Sequence, residues 1–251
     1  MTSPILPGAE PASYAGGPHG VLVLHGFTGS PQSMRPLAEA VAAAGYSVEL
    51  PLLPGHGTAL EDMIPTRWED WSGAAEAAYA ELAGRCDGVA VVGLSMGGTL
   101  VTWLAARHPE IVALVTINGA VEPGGDALIE MGRDLLAAGT EVLPAIGSDI
   151  AKPGQAEVSY PGAPVAALMS MAQAVEDLAP LIPGIHCPTL VFTSTQDHVV
   201  PPSAGEYLAT HVGGPAEQVT LDNSFHVATL DFDATEIETR TVDFLAKVFA
   251  G

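Results

Sequence analysis

Basic residues are scarce in this chain of 251 residues. It has 8 Lys and Arg against 29 Asp and Glu, and its formal net charge is -21. Phosphate backbones and anionic lipid surfaces repel such a molecule. We therefore expect no nucleic acid partner and no stable membrane anchoring, and we interpret the acidic surface as a feature that serves solubility.

Cysteines and long apolar runs are also scarce. Cys86 and Cys187 are the only cysteines, and each borders an apolar run, where a thiol behaves as a small hydrophobe rather than as part of a disulfide framework. Residues 1–20 have no basic residue before His19 and lack the apolar run of a signal peptide. No apolar run approaches the roughly 20 residues that a membrane helix needs. The sequence predicts a cytoplasmic protein.

Short apolar runs alternate along the chain with longer segments of helical periodicity. A chain of this length with 48% hydrophobic residues can bury one large core, and we expect a single domain over residues 1–251. The alternation is typical of an α/β protein with a mostly parallel sheet and helices on both faces. Strands are predicted at 21–24, 47–50, 89–94, 111–117, 188–193 and 218–221, and helices at 34–44, 66–82, 96–107, 204–210 and 236–249.

The segment from about 120 to 186 fits this alternation poorly. It is irregular and contains Gly and Pro, with helical periodicity at 127–138 and 165–178. An insertion over the carboxyl edge of the sheet explains such a segment, because that edge is where α/β sheets bind ligands. We therefore expect a small cap over residues 120–186.

The pentapeptide Gly93-Leu94-Ser95-Met96-Gly97 has the form GxSxG and lies between a buried strand and a helical pattern. This context is the one in which the motif forms a sharp strand-to-helix turn that exposes a nucleophilic serine. Small flanking residues are needed because the neighbouring backbone approaches closely. Ser95 is the predicted nucleophile.

A serine nucleophile needs a base, and the base needs a third group that fixes its tautomer. In proteins whose serine lies on such a turn, called the nucleophile elbow, the acid and then the histidine follow the serine along the chain. Asp197 and His226 occupy loops just after two predicted strands, in that order. The other histidines lie in connectors or at helix ends, and no histidine spacing indicates a metal site.

An acyl-transfer intermediate also needs hydrogen-bond donors for its oxyanion. The backbone N–H of Met96, the residue after the nucleophile, is one predicted donor. The loop His25-Gly26-Phe27-Thr28-Gly29 after the first strand places the N–H of Phe27 as the second.

These segments together resemble the bacterial monoacylglycerol lipases and the related small carboxylesterases of the α/β-hydrolase superfamily. The likeness covers nearly the whole chain from Val21. It rests on the elbow and on the segments His25-Gly26-Phe27-Thr28-Gly29-Ser30, Pro54-Gly55-His56-Gly57-Thr58, Asp197-His198-Val199-Val200-Pro201-Pro202 and Ser224-Phe225-His226-Val227-Ala228-Thr229-Leu230-Asp231, together with Ile146-Gly147-Ser148-Asp149 and Glu157-Val158-Ser159-Tyr160 of the cap.

The resemblance implies an α/β-hydrolase fold and an enzyme that needs no cofactor and cleaves monoacylglycerols to glycerol and fatty acid. It also implies that Glu157 is the acidic residue that binds the glycerol headgroup, since a carboxylate accepts hydroxyl hydrogen bonds. A small lipid or ester is the expected partner, and the sequence leaves the oligomeric state unknown.

Two other interpretations stay open. The first is a general carboxylesterase with the same triad and a broad short- to medium-chain ester specificity. The second is a hydrolase-like small-molecule receptor without turnover, because a fold does not entail a function. An acceptor other than water for the acyl group also stays open. A serine at the elbow argues against enzymes of this fold that use an aspartate nucleophile.

Overall fold

The computed structural model describes residues 3–250, and a 7-stranded sheet forms its centre. The strand order is β1-β3-β2-β4-β5-β8-β9, and every pairing is parallel except that of β1 with β3. The strands of this sheet are β1 (Ala12–Tyr14), β2 (His19–Leu24), β3 (Ser47–Leu50), β4 (Gly88–Leu94), β5 (Ala113–Ile117), β8 (Thr189–Ser194) and β9 (Ala216–Leu221).

Helices cover both faces of the sheet. Their bounds are α1 (Arg35–Ala43), α2 (Leu60–Met63), α3 (Trp68–Ala83), α4 (Met96–Arg107), α5 (Asp126–Ala137), α6 (Val165–Leu178), α7 (Ser203–His211) and α8 (Ala234–Ala250). Helices α1 and α8 pack on one face, and α3 and α4 pack on the other. The predicted mostly parallel α/β fold is confirmed.

The central strands are apolar on both faces, which explains their continuous apolar runs. In β2, Val21 and Val23 join the core under α1 and α8, whereas Leu22 and Leu24 join the core under α3 and α4. Successive side chains of a strand point to opposite faces, so a strand covered on both sides needs apolar residues at every position.

Residues 120–186 contain α5, α6 and two short strands, β6 (Val142–Pro144) and β7 (Gly162–Pro164), that pair antiparallel in a sheet of their own. The sequence predicted the two helices of this segment but not the two strands. It also did not predict β1, which has 3 residues at the edge of the central sheet. We refer to residues 120–186 as the cap.

No uninterrupted apolar run is as long as a membrane helix, but one helical stretch of the cap, Val165–Gly184, is long and apolar enough to cross a membrane by length and composition alone, with a mean hydropathy of 1.3 and with polar residues such as Glu176 and Asp177 within it. It consists of α6 and a 3-10 helix, Ala179–Gly184. Its apolar side chains Leu168, Met171 and Val175 line a cavity, and Leu178 is buried in the core. These apolar side chains therefore pack inside the molecule or line its cavity.

Candidate active site

Ser95 occupies the turn between β4 and α4 in a strained backbone conformation, with φ 54 and ψ -118. Residues other than glycine seldom adopt a positive φ, and such strain concentrates at functional sites. The turn is tight: a Cβ at Gly93 would overlap the backbone of Gly97, and one at Gly97 would overlap the carbonyl group of Leu24. The glycines therefore allow the packing that holds Ser95 at the carboxyl edge of the sheet.

His226 and Asp197 come together on the loops that follow β9 and β8. The Nδ1 atom of His226 lies 2.7 Å from Oδ2 of Asp197, and both side chains are nearly inaccessible, at 9% and 2% exposure. The other carboxylate oxygen of Asp197 accepts the N–H groups of Val199 and Val200 at 2.7 and 2.8 Å. An ionised Asp197 therefore fixes the proton of His226 on Nδ1 and leaves Nε2 to act as a base.

The loop after β2 lies against Ser95. A Cβ at Gly26 would be 3.3 Å from the Cβ of Ser95, and Phe27 lines the same cavity as Ser95. Within residues 3–250, the N–H groups of Phe27 and Met96 donate to no other protein group. Two N–H groups beside a serine, without protein acceptors, are what a tetrahedral oxyanion requires.

Buried His25 fixes this loop in place. Its Nδ1 donates to the carbonyl of Gly26 at 3.0 Å, and its Nε2 accepts the N–H of Leu53 at 3.2 Å. Burial and the neighbouring His56 lower the pKa of His25 to about 3. The imidazole is therefore neutral near pH 7, and its two hydrogen bonds define one tautomer.

A cavity of about 590 Å³ opens over Ser95 and is lined by the turn at Ser95, the loop that carries His226 and the cap. This volume is within the range of small-molecule sites. Ser95, His226 and Glu157 supply polar groups, and the lining is otherwise dominated by apolar side chains such as Leu128, Leu143, Ile146, Leu168, Met171, Val175 and Val199. The cavity suits an apolar chain with a polar group at one end.

Glu157 is held at this cavity by polar contacts on both sides of it. Gln32 donates to the carbonyl of Ala156 at 3.1 Å and accepts the N–H of Val158 at 2.9 Å. The hydroxyl of Ser148 accepts the N–H of Glu157 at 2.8 Å. The main chain on either side of Glu157 is thus fixed beside the cavity.

Burial raises the pKa of Glu157 to about 7, and the Ser33 hydroxyl and the nearby His226 oppose this shift only in part. The group is half-buried. A carboxyl group in a binding cavity that changes its protonation near neutral pH is a candidate for a functional role.

Comparisons with known proteins identify the family of the chain. The sequence profile of the alpha/beta hydrolase family matches residues 21–237. The chain belongs to this family. It is 45% identical over 97% of its length to a thermostable monoacylglycerol lipase of Bacillus sp. (strain H-257), of which it covers 97%. It is 24% identical over 95% of its length to a carboxylesterase of Bacillus subtilis (strain 168), of which it covers 97%.

Solved structures also superimpose on this alpha/beta hydrolase. One, from a study of the metagenome-derived lipolytic enzymes LipS and LipT, has a TM-score of 0.90 at 42% identity and covers 97% of this chain and 100% of the other. A monoacylglycerol lipase of Paleococcus ferrophilus has a TM-score of 0.80 at 17% identity, with 95% and 98% covered, and at that identity the likeness supports the fold alone.

The sequence did not predict the role of Asn118, a polar residue that this alpha/beta hydrolase places beside the base. Asn118 follows β5 with a φ of 47, and its amide donates to the carbonyl of His226 at 2.7 Å and to the hydroxyl of Ser194 at 2.9 Å. Its side-chain oxygen accepts the N–H of Ser194 at 2.8 Å. The signal in the sequence was a single polar residue at a strand end, which does not identify a distant partner.

The described part of the chain, residues 3–250, has no group of three or more His, Cys, Asp or Glu side chains arranged to hold a metal ion. The groups that face Ser95 are instead an imidazole with an oriented proton, two N–H donors and a carboxyl group. Such an arrangement suits acyl transfer through a covalent serine intermediate.

Proposed function

We propose that this protein hydrolyses monoacylglycerols to glycerol and fatty acid, with Ser95 as nucleophile, His226 as base and Asp197 as the group that orients the base. The observation that carries the proposal is the placement of Ser95, His226 and Glu157 on one largely apolar cavity. The 45% identity to a monoacylglycerol lipase over nearly the whole chain supports the same substrate class.

The proposed reaction assigns one step to each of these groups. Nε2 of His226 accepts the proton of Ser95 as Oγ attacks the ester carbonyl, and the N–H groups of Phe27 and Met96 stabilise the oxyanion. The imidazolium then donates its proton to the departing glycerol oxygen, which leaves an acyl-enzyme. Water, activated by His226, attacks the acyl group and releases the fatty acid.

Glu157 is proposed to bind the glycerol headgroup. Its carboxylate faces the same cavity as Ser95, and an ionised carboxylate accepts hydroxyl hydrogen bonds that an aryl or alkyl alcohol group cannot supply. The many apolar residues of the lining would hold the acyl chain. The cavity would thus bind the glycerol headgroup at Glu157 and the acyl chain along its apolar lining.

A general carboxylesterase is the second candidate, since the apolar lining would accept many acyl groups and the chain is related to a carboxylesterase of Bacillus subtilis. The two functions differ at the alcohol end of the substrate. Glu157 is therefore the residue whose removal separates them.

The first test compares Glu157→Ala with the wild type on a monoacylglycerol and on a p-nitrophenyl ester of equal chain length. Hydrogen bonds to charged groups contribute roughly 1.5 to 3 kcal/mol, so kcat/KM for the monoacylglycerol is expected to fall about 10- to 100-fold. The rate on the p-nitrophenyl ester should change little because the triad is untouched.

Glu130→Ala is the matched control, because Glu130 is an exposed glutamate on α5 of the same cap. Equal losses on both substrates would mean that Glu157 supports cap structure. Unchanged rates on both would remove it from substrate binding. A wild type that cleaves p-nitrophenyl esters and ignores monoacylglycerols would favour the carboxylesterase.

A further inference from the structure

A segment of the cap crosses directly over the loop that carries the base. We define the crossing segment as residues 149–152 and the base loop as residues 224–231. The side chain of Asp149 accepts the N–H of His226 at 3.0 Å, and its backbone carbonyl accepts the N–H of Val227 at 3.0 Å. The cap therefore bonds to the base residue itself and to the residue after it.

Asp231 of the base loop, which is 1% exposed, also accepts hydrogen bonds from the crossing segment. Its carboxylate accepts the N–H groups of Ala151 and Lys152 at 2.7 and 2.9 Å and that of Phe225 at 2.9 Å. One carboxylate from the cap and one from the base loop thus clamp the two segments together. Hydrogen bonds to ionised acceptors are the stronger kind.

Asp149 also reaches the loop that carries Asp197. The oxygen that accepts the His226 N–H accepts the N–H of His198 at 3.2 Å, and the other oxygen lies 2.8 Å from Nδ1 of His198. The Asp149 side chain is 10% exposed, whereas that of His198 is 57% exposed. A single nearly buried carboxylate therefore holds the base residue and the neighbour of the acid in one arrangement.

The main chain of His226 is fixed from two sides. Asn118, at the end of β5, donates to its carbonyl, and Asp149, in the cap, accepts its N–H. Since the main chain sets the direction of the Cα–Cβ bond, these two contacts and the bond to Asp197 together set the position of the imidazole. An imidazole displaced by about 1 Å from the serine would lose much of the rate.

We propose that Asp149 is a positioning residue for His226, so that the cap contributes to the alignment of the catalytic base as well as to the cavity wall. The proposal rests on the triad proposed above. It predicts that loss of Asp149 lowers kcat on every ester, including small esters that make little use of the headgroup site, and leaves KM nearly constant.

The test uses Asp149→Ala and Asp149→Asn in the full chain. Asparagine keeps one acceptor oxygen of the same geometry for the N–H groups of His226 and His198, whereas alanine has none. With p-nitrophenyl butyrate and with a monoacylglycerol, Asp149→Ala is expected to lower kcat about 10- to 100-fold with KM within about threefold of wild type. Asp149→Asn is expected to stay within about threefold of wild type in kcat.

Two controls separate positioning from general effects of the cap. Asp134→Ala removes an exposed carboxylate from α5, and His198→Ala removes the exposed partner of Asp149 without touching the His226 N–H. Both are expected to keep nearly full kcat. The rate at which a phosphonate inactivates each variant should follow kcat, because that reaction needs the same base and no headgroup. Thermal unfolding of each variant would show whether it is folded at the assay temperature.

The proposal is overturned if Asp149→Ala keeps wild-type kcat, if its defect lies in KM alone, or if Asp149→Asn is as impaired as Asp149→Ala. Should Asp149→Ala not fold, Asp149→Ser supplies the comparison, since serine is too short to span the same distance. Failure of the proposed function would be visible separately: the wild type would cleave the butyrate ester and not the monoacylglycerol, or Ser95→Ala would remain active.

Discussion

The two carboxylate oxygens of Asp197 have different partners. Replacing the carboxylate by an amide can therefore change the contact with His226 and leave the loop contacts intact. One oxygen accepts the N–H groups of Val199 and Val200, and the other faces Nδ1 of His226. In Asp197→Asn the amide oxygen can keep the loop contacts while its NH₂ group faces His226. The imidazole would then carry its proton on Nε2, where it cannot accept the proton of Ser95.

Asp197→Asn is therefore expected to lower kcat by about 10⁴, the loss that the same change causes in a serine protease triad, with little change in thermal stability. Steady-state hydrolysis of a p-nitrophenyl ester and an unfolding curve measure the two quantities. A variant within about tenfold of the wild type would contradict the assigned role.

The pKa of Glu157 makes the stability of the protein depend on pH, because it is about 7 in the folded protein, above the ordinary value of 4.5. The folded state therefore holds the proton more tightly than the unfolded state. The contribution of Glu157 to stability is greatest below the ordinary pKa and is lost as the pH rises through about 7, where the half-buried carboxyl group must ionise. Above that range the ionised carboxylate costs stability that glutamine at the same position would not.

We accordingly expect Glu157→Gln to raise the free energy of unfolding by about 2 kcal/mol at pH 8 and to have much less effect near pH 4.5. Urea unfolding at the two pH values measures the difference, and Glu130→Gln is the exposed control. A stability gain that is equal at both pH values would show that the charge of Glu157 is not its source.

Residues whose proposed role follows from their own neighbours in the chain could be predicted from the sequence, and residues proposed to act across the fold could not. Ser95 lies in a local motif with its strand and helix beside it, and Asp197 and His226 follow predicted strands. Asn118 and Asp149 contact His226 over separations of 108 and 77 residues. No local pattern shows that their side chains meet the main chain of the base.

At the level of elements, most of the strands that could be predicted from the sequence have side chains buried on both faces of the sheet. Strand β4 has apolar residues on both faces because both faces are covered by helices. Strand β1 lies at the edge of the sheet with half-buried or exposed residues, and β6 and β7 have 3 residues each. Such short strands follow from tertiary pairing, which overrides weak local preference.

The turn between β4 and α4 depends on glycine at position 97. Gly97→Ala would place a methyl group against the carbonyl groups of Leu24 and His25 at the end of β2. These are backbone atoms at the end of a central strand, so moving them costs free energy. We expect it to lower the free energy of unfolding by about 3 kcal/mol, as overpacking of a rigid site does. The catalytic rate should fall as well because the strand and helix would separate at Ser95.

Gly73→Ala is the matched control for this substitution. Gly73 lies inside α3, is exposed, and has no atom within 4 Å of an added Cβ. Alanine is expected to stabilise that helix by about 0.5 to 1 kcal/mol. Denaturation curves of the two variants measure both effects, and a Gly97→Ala protein as stable as the wild type would mean that the elbow is not tightly packed.

At the scale of the whole molecule, the cap is tied to the sheet domain at several separate places. The N–H of Tyr160 donates to the carbonyl of Thr28, and its hydroxyl donates to the carbonyl of Gly55. Gln32 holds the chain on both sides of Glu157, and the crossing segment holds the base loop. The contacts made by Thr28, by Gln32 and by the crossing segment lie near proposed catalytic or substrate-binding groups, so the cap and the site depend on each other for their geometry.

The negative charge of the molecule is largely unpaired. Of the Lys and Arg side chains in residues 3–250, only Arg85 and Arg240 form ion pairs with carboxylates, against a total of 29 Asp and Glu in the chain. Carboxylates at the surface therefore repel one another across the folded protein. Self-repulsion of this kind destabilises a compact state, and dissolved salt screens it.

We expect an increase of NaCl from about 0.01 M to about 1 M to raise Tm at pH 8 by roughly 5 °C, because the screening length falls from about 30 Å to about 3 Å. The increase should nearly disappear close to the isoelectric point, pI ≈ 4.4, where protonation removes most of the net charge. Scanning calorimetry at both pH values and both salt concentrations is the measurement. The same increase at both pH values would indicate a general salt effect on burial, and no increase at pH 8 would mean that surface repulsion contributes little to the stability of this fold.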